Sequence, residues 1–252
     1  MKIDVPVDSQ IPELRQLWKL AFGDEDSFIQ MFFETGFHPD RCRCITIDGE
    51  IAAALHWFEA QCADQKVAYL YSVATHPDHR GKGLCSQLME DTHRHLQSLG
   101  FSSVILVPQK ESLREMYRKM GYADCTTVTE FFCTDAPYPA PMHQIDSAEY
   151  ALLRKAYLPE GSILQEGSNL TFLGAYAKFY KGIDFIMVAA SENDNLFAAE
   201  FLGNQESAPG ILCALGLAQG SFRTIGNKKP FAMFHPLTQD ALVPAYFAFA
   251  FD

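Results

Sequence analysis

The chain has 252 residues, 48% of them apolar and 20% charged, enough for one large globular domain or two modest ones with a sizeable core. Its formal net charge is −11 and both halves are acidic, which argues against a protein that tracks nucleic-acid phosphates and favours the approach of small cationic molecules. Seven scattered cysteines with no C-x-x-C offer no zinc framework and suit the reduced thiols of a cytoplasmic protein; no signal-peptide run and no stretch of membrane-spanning length is present, so neither a metal nor a membrane is expected.

The first residues, 1–7, read as a short strand. Ile11, Leu14, Leu17, Trp18 and Phe22 recur at helical spacing over 10–22. The acidic run Asp24–Asp26, followed by Ser27, opens a second helix carrying Phe28, Met31 and Phe32. Strands are predicted over 42–47 and 51–59, joined at Asp48-Gly49, a hairpin signal, and another over 66–75. The clearest helix runs over 83–99, with Leu84, Leu88, Leu96 and Leu99 near one face and Gly100 as its stop. A strand over 103–107, a helix over 111–120 closed by Gly121, and a strand over 123–134 complete the first half. The proline-rich stretch from Asp135 to Pro141 cannot hold a regular ladder, so the domain boundary is placed there, giving domains 1–135 and 136–252.

The second half reads as a helix over 148–157, an ambiguous apolar segment over 170–179, strands over 185–190, 196–202, 231–234 and 246–251, and a short helix within 209–217. No local motif there announces chemistry.

The chemistry lies between Tyr69 and Met89. A strand ends at His76-Pro77, a loop Arg80-Gly81-Lys82-Gly83-Leu84-Cys85 follows, and an amphipathic helix begins at once. That order exposes backbone N–H groups at the positive end of a helix, a cradle for a diphosphate. Gly81 and Gly83 let the ligand approach the backbone, and Arg80 and Lys82 add charge. In the order strand, loop, helix, strand and helix ending Tyr117-Arg-Lys-Met-Gly121-Tyr122, this segment resembles motif A and its sequel in the GNAT (GCN5-related N-acetyltransferase) superfamily, over roughly residues 1–134. Arg80, Gly83 and Cys85 occupy the places of the family's Arg/Gln-x-x-Gly-x-Gly/Ala loop, and Cys85 departs from its usual Gly/Ala. Lys110 stands where the family often has an asparagine.

The resemblance implies an α/β (α+β) fold with a central mixed, mostly antiparallel sheet flanked by helices. It implies acetyl-CoA as acetyl donor, an amine acceptor, Tyr117 as the acid that protonates the leaving thiolate, and a splay between the strands at 69–75 and 103–107. The pantetheine arm would lie along Val73 and Thr75, with an N–H near Ala74 polarising the thioester carbonyl. The acceptor is expected to be a small cationic amine. Glu59 and His56 are candidates for the base, weighed against a solvated strand end. The remaining readings are a CoA-binding regulatory protein that has lost catalysis and an acyltransferase using another acyl-CoA.

The second domain is smaller and α/β, either a substrate-binding cap or a degenerate GNAT-like repeat. Its strand–loop–helix at 201–215 lacks basic residues and the glycine spacing, so no CoA is expected there. The tandem reading is similar to the first two domains of the enhanced-intracellular-survival type. That group uses its terminal carboxylate in the active site, which here implicates Asp252. Monomer and homodimer both remain open.

Overall fold

A computed structural model describes residues 1–251. Asp252 lies outside the described residues.

The chain forms two compact units, each assembled from separate stretches. The first comprises Met1–Leu106, Lys110–Ala123 and Phe234–Leu242; the second comprises Val107–Gln109, Asp124–Met233 and the stretch from Val243 on.

In the first unit the elements run β1 (Lys2–Asp4), α1 (Ile11–Phe22), α2 (Asp26–Thr35), β2 (Cys42–Ile47), β3 (Glu50–Cys62), β4 (Gln65–Thr75), α3 (Leu84–Ser98), β5 (Ser103–Leu106), α4 (Glu111–Lys119) and β6 (Ala123–Asp124). Strands β1 to β4 pair antiparallel in sequence order. The β2–β3 hairpin closes at Asp48 and Gly49, whose φ values of 52° and 96° are those of the tight turn that strand twist favours. Strand β3 is buried along most of its length, because α1 and α3 both pack on it. Leu14 and Leu17 of α1 join Cys42, Cys44, Ile51, Ala54 and Ala74 in one apolar cluster.

The second unit contains β7 (Thr127–Thr134), β8 (Met142–Ile145), α5 (Ser147–Tyr157), β9 (Ile163–Leu164), α6 (Ser168–Tyr176), β10 (Lys178–Gly182), β11 (Phe185–Glu192), β12 (Asn195–Gly203), α7 (Ala208–Leu215), β13 (Gln219–Ile225) and β14 (Lys229–Pro230). Its sheet has the order β14-β7-β13-β12-β11-β10-β8. Phe185, Met187, Phe201, Ile211, Leu212 and Phe222 lie at its core. The following strand, β15 (Met233–Pro236), lies in the first sheet, between β5 and β6.

The unit compositions differ from the expected division at the proline-rich stretch. Strand β7 precedes that stretch, yet it pairs antiparallel with β13 in the second sheet, from Thr134 opposite Gln219 to Val128 opposite Ile225. The ambiguous segment over 170–179 divides into the end of α6 and the start of β10. The strand expected at 246–251 is absent among the described residues, although Tyr246 to Phe251 are all buried. Isolated backbone bonds and side chains hold this stretch in place of a ladder: the Ile163 N–H donates to Tyr246 O at 2.9 Å and the Ala250 N–H to Ala248 O at 2.8 Å. Arg223 donates to Ala248 O at 3.2 Å and Gln165 to Phe249 O at 3.1 Å.

Both units contain the same arrangement of parallel strands. In the first, β4 and β5 flank α3 in sequence and pair parallel only from Val67–Ser103 to Tyr69–Ile105. In the second, β12 and β13 flank α7 and pair parallel only from Asn195–Gln219 to Ala198–Phe222.

Candidate functional site

The short β4–β5 register opens the sheet at the candidate site. Beyond Tyr69 the end of β4 has no partner in β5, so residues 70–75, including Val73, Ala74 and Thr75, border an opening in the sheet. On its other side β4 pairs with β3, and the register shifts between Ala54 and His56. The shift is made at Ser72, whose φ of 51° is left-handed. An L-residue is disfavoured there by about 1 kcal/mol, and such strain gathers at functional sites. Nothing in the composition of the run Tyr69-Leu-Tyr-Ser72-Val marks this bulge, so it is invisible to sequence reasoning.

The loop Arg80–Cys85 follows β4 after one turn of 3-10 helix. Gly81 and Gly83 take φ values of 75° and 76°. A Cβ on Gly81 would meet open space, and one on Gly83 only the Gln87 amide at 3.9 Å. The glycines are therefore required by backbone conformation, and the loop's face is clear. Helix α3 starts at Leu84 with Gly83 as N-cap and no side-chain cap, so its first N–H groups are offered to an anionic ligand. Arg80 Nε donates to Thr75 O at 3.2 Å and Lys82 Nζ to Asp78 O at 2.8 Å. Both cations thus brace the loop while remaining exposed. Cys85, the position that departs from the family pattern, is a half-buried thiol pushed up to about 11 by burial. It stays neutral and does not repel a diphosphate.

Tyr117 on α4 is buried at 6% exposure. Burial, and then the nearby Cys85 thiol, push its hydroxyl well above the ordinary tyrosine range. The tyrosine and the loop are thus brought into one electrostatic neighbourhood, and Tyr117 holds its proton at neutral pH. Its ring packs on Tyr122, centroids 5.6 Å apart. The Tyr122 hydroxyl lies 2.7 Å from His93 Nε2, and His93 stacks on His235 of β15 at 4.3 Å. In the sequence His93 and His95 lie two apart on a helix and do not share a face; the ring that His93 stacks on, His235, lies 142 positions later.

The two candidate bases fare differently. Glu59 is exposed and faces Arg41 at 3.6 Å. His56 is buried at 2% exposure among Phe32, Phe37 and Phe58. Its Nε2 accepts from the His38 N–H at 3.3 Å. Desolvation first, then the charges of Arg41 and His38, bring it down to about 3. With Nε2 already engaged and the ring so weakly basic, His56 does not suit the role of proton acceptor. Asp252 is outside the described residues. Among the described residues no group of three or more His, Cys, Asp or Glu side chains is arranged to hold a metal.

The buried histidines set an acid limit on the fold. His93 is lowered to about 4 by burial and the His235 ring, and His56 to about 3. Both lie below the unfolded value of about 6.5, so the unfolded chain binds their protons first. Stability is fully present above the unfolded value and falls as pH drops toward the folded values, by about 2 kcal/mol per histidine between pH 7 and 5. Denaturant titrations at pH 7 and pH 5 should show this loss. His93→Gln should roughly halve it, leaving the share of His56, and an unchanged slope in that variant would remove His93 from the account.

The Acetyltransferase (GNAT) domain family matches residues 3–125. No curated protein matches the chain. Solved structures resemble it at low identity. A GCN5-related N-acetyltransferase from Anabaena variabilis superposes with a TM-score of 0.76 at 14% identity, covering 94% of this chain and 73% of that one. Eis1 from Mycobacterium abscessus gives 0.66 at 10% identity, covering 96% and 75%. A tandem GNAT protein from the clavulanic acid biosynthesis pathway gives 0.60 at 11% identity, covering 95% of this chain and all of that one. Among the described residues no helix is long and apolar enough to cross a membrane.

Proposed function

We propose, from the match of the Acetyltransferase (GNAT) domain family to residues 3–125, that this chain transfers the acetyl group of acetyl-CoA to a primary amine by direct attack, within residues of the first unit. The observation that carries the reading is the conjunction of two features. Strands β4 and β5 part after Tyr69, and an uncapped helix with a clear glycine loop begins at Gly83. The residues present fit acetyl-CoA: Gly81 to Cys85 would cradle the pyrophosphate, and Val73 and Thr75 would pair with the pantetheine arm. The Ala74 N–H would polarise the thioester oxygen. Bound there, acetyl-CoA supplies the activated acyl group.

Tyr117 would return a proton to the leaving thiolate. Its burial keeps the proton in place, and the same surroundings raise the Cys85 thiol to about 11. A second thiolate in this neighbourhood is likewise a stronger base than in water, which narrows the gap to the tyrosine.

The second unit repeats the parallel strand arrangement without the chemistry. Its loop at 204–210 carries Glu206 and Pro209 and no Lys or Arg, so a diphosphate would meet a carboxylate and lose a donor. We assign it a role toward the acceptor that involves no CoA, with Asp252 as a candidate to hold or deprotonate the amine. The seven free thiols support a cytoplasmic setting.

The test is a thermal titration with acetyl-CoA. At about a hundred times the dissociation constant, binding should add about 2.7 kcal/mol of stability. Gly83→Asp should remove the response, because a carboxylate would then occupy the cradle at a left-handed position. No shift of the native chain at millimolar acetyl-CoA or CoA would refute the reading, and calorimetry should find one site per chain.

A further inference from the structure

Sheet margins expose unpaired backbone N–H and C=O groups, and most of the margins here are blunted. The end strands β1, β6 and β14 have two or three residues and β8 has four. Lys2 in β1, and Lys229 with Pro230 in β14, further deter another strand. The exception is the outer side of β7. Strand β14 pairs there only with Thr127 and Val128. The six residues Thr129–Thr134 therefore have β13 on one side and, among the described residues, no strand on the other. The register against β13 runs from Thr134 to Val128 without a shift, so no bulge turns this edge away.

Its side chains do not guard it either. The run Thr129-Glu-Phe-Phe-Cys-Thr134 contains no Lys and no Pro. Its one charge, Glu130, accepts from Arg223 Nε at 3.1 Å and Lys229 Nζ at 2.7 Å. Phe131 and Cys133 pack inward on the core of the second unit. Phe132 turns outward and is 62% exposed, and the residue opposite it in β13 is only Ser221. A regular edge with its charge neutralised and an aromatic ring on its open face is a template for another strand.

We propose that this edge of β7 pairs with the same edge of a second copy of the chain, antiparallel across a twofold axis, joining the second sheets of two molecules. A second copy is the occupant because the edge complements itself in one register. Opposed residues must lie on the same face of the sheet, so the axis passes between a residue and its own counterpart. With Phe132 opposite Phe132, residues 130–134 of both copies fall within the open run. Glu130 then faces Thr134, Phe131 faces Cys133 on the inner side, and the two Phe132 rings meet on the outer side as an aromatic cross-strand pair. Moving the axis to Phe131 sets Thr134 against Val128, a place that Lys229 of β14 already takes. Moving it to Cys133 sets Phe131 against Asp135, outside the strand. The pairing uses no residue of the proposed cofactor site and stands apart from the acetyltransferase reading.

Charge gives the contact a signature. Each chain carries −11, so two copies repel at a distance, while the paired edges oppose no like charges. Association should therefore strengthen as salt screens the net charge, the reverse of a contact made by ion pairs.

The experiment is sedimentation equilibrium of the full chain over submillimolar concentrations at low and moderate salt. The apparent mass should rise from 28.2 kDa toward twice that value with concentration, and more readily with salt. Phe132→Lys sets two like charges opposite each other and should weaken association by about tenfold or more. Circular dichroism should be unchanged, since the side chain is exposed. Phe132→Cys tests the register and decides the matter should the lysine variant lose its fold. Under mild oxidation it should give a disulfide-linked dimer, because directly opposed residues bring their Cβ atoms to about 4.5–5.5 Å. Thr134→Cys, which faces Glu130, should cross-link no more than the native chain with its own thiols. A chain that stays monomeric throughout overturns the proposal, as does a dimer that Phe132→Lys leaves intact. Equal cross-linking of Thr134→Cys and Phe132→Cys overturns the twofold pairing.

Discussion

Tyr117→Phe is expected to slow acetyl transfer by about a hundredfold or more while leaving acetyl-CoA affinity nearly unchanged. The substitution keeps the ring against Tyr122 and removes only the hydroxyl. A factor of one hundred corresponds to about 2.7 kcal/mol of transition-state stabilisation. Binding should persist because the loop and the end of β4, not the tyrosine, are the residues proposed to hold the donor. Steady-state kinetics beside a thermal titration separates the two quantities. Unchanged turnover would return Tyr117 to a packing role and assign thiolate protonation to water. A parallel loss of binding would show that the hydroxyl shapes the pocket.

The second large effect concerns the other unit. Glu200 is fully buried and accepts a two-pronged contact from Arg154, with Nε to Oε2 at 2.7 Å and an NH2 group to Oε1 at 2.9 Å. The Tyr150 hydroxyl donates to the same carboxylate at 2.9 Å. Arg154 also donates to Ile163 O at 3.0 Å and lies over the Phe249 ring at 4.4 Å. Glu200→Ala strands the guanidinium charge in the core and should cost about 3–5 kcal/mol. Replacing both partners by apolar residues of similar volume should restore most of that, since the stranded charge, not the lost attraction, dominates. Denaturant unfolding of the single and double variants tests both statements. A cost under about 1 kcal/mol for Glu200→Ala would mean that water reaches Arg154.

The backbone of the loop Arg80–Cys85 was legible because its demands are local. Two glycines at left-handed backbone positions, a helix start and a preceding strand all fall within about a dozen residues, and each leaves a mark on residue type. Tyr117 was singled out through family resemblance, and its burial against Tyr122 required the fold. The parts that were not legible depend on long-range pairing. Nothing near Thr127–Thr134 reveals that its partner is β13, and alternating Phe and Ala over 246–251 reads as a strand although isolated backbone bonds and side chains, not a ladder, hold that backbone. The apolar surroundings of His56 draw on α2, β3 and Phe37 at once, so in sequence Phe32 and Phe37 read only as core. His56 stands out by type, but its engaged Nε2 and unpartnered Nδ1 belong to tertiary geometry.

Strand β15 ties the order of synthesis to the completion of the first sheet. It lies between β5 and β6, yet it is made more than a hundred residues after Leu106. Until residue 236 has emerged, β5 presents an open edge beside the site, with all of its residues buried in the finished protein. Such an edge invites pairing with other chains, and its closure by so distant a segment slows folding. The first unit is therefore not a cassette that can be cut at the proline-rich stretch and moved. A fragment ending there would carry the whole cofactor loop and Tyr117 but lack the strand that seals the sheet and the histidine that stacks on His93. A truncation at that stretch is expected to leave the β5 edge unpaired by β15.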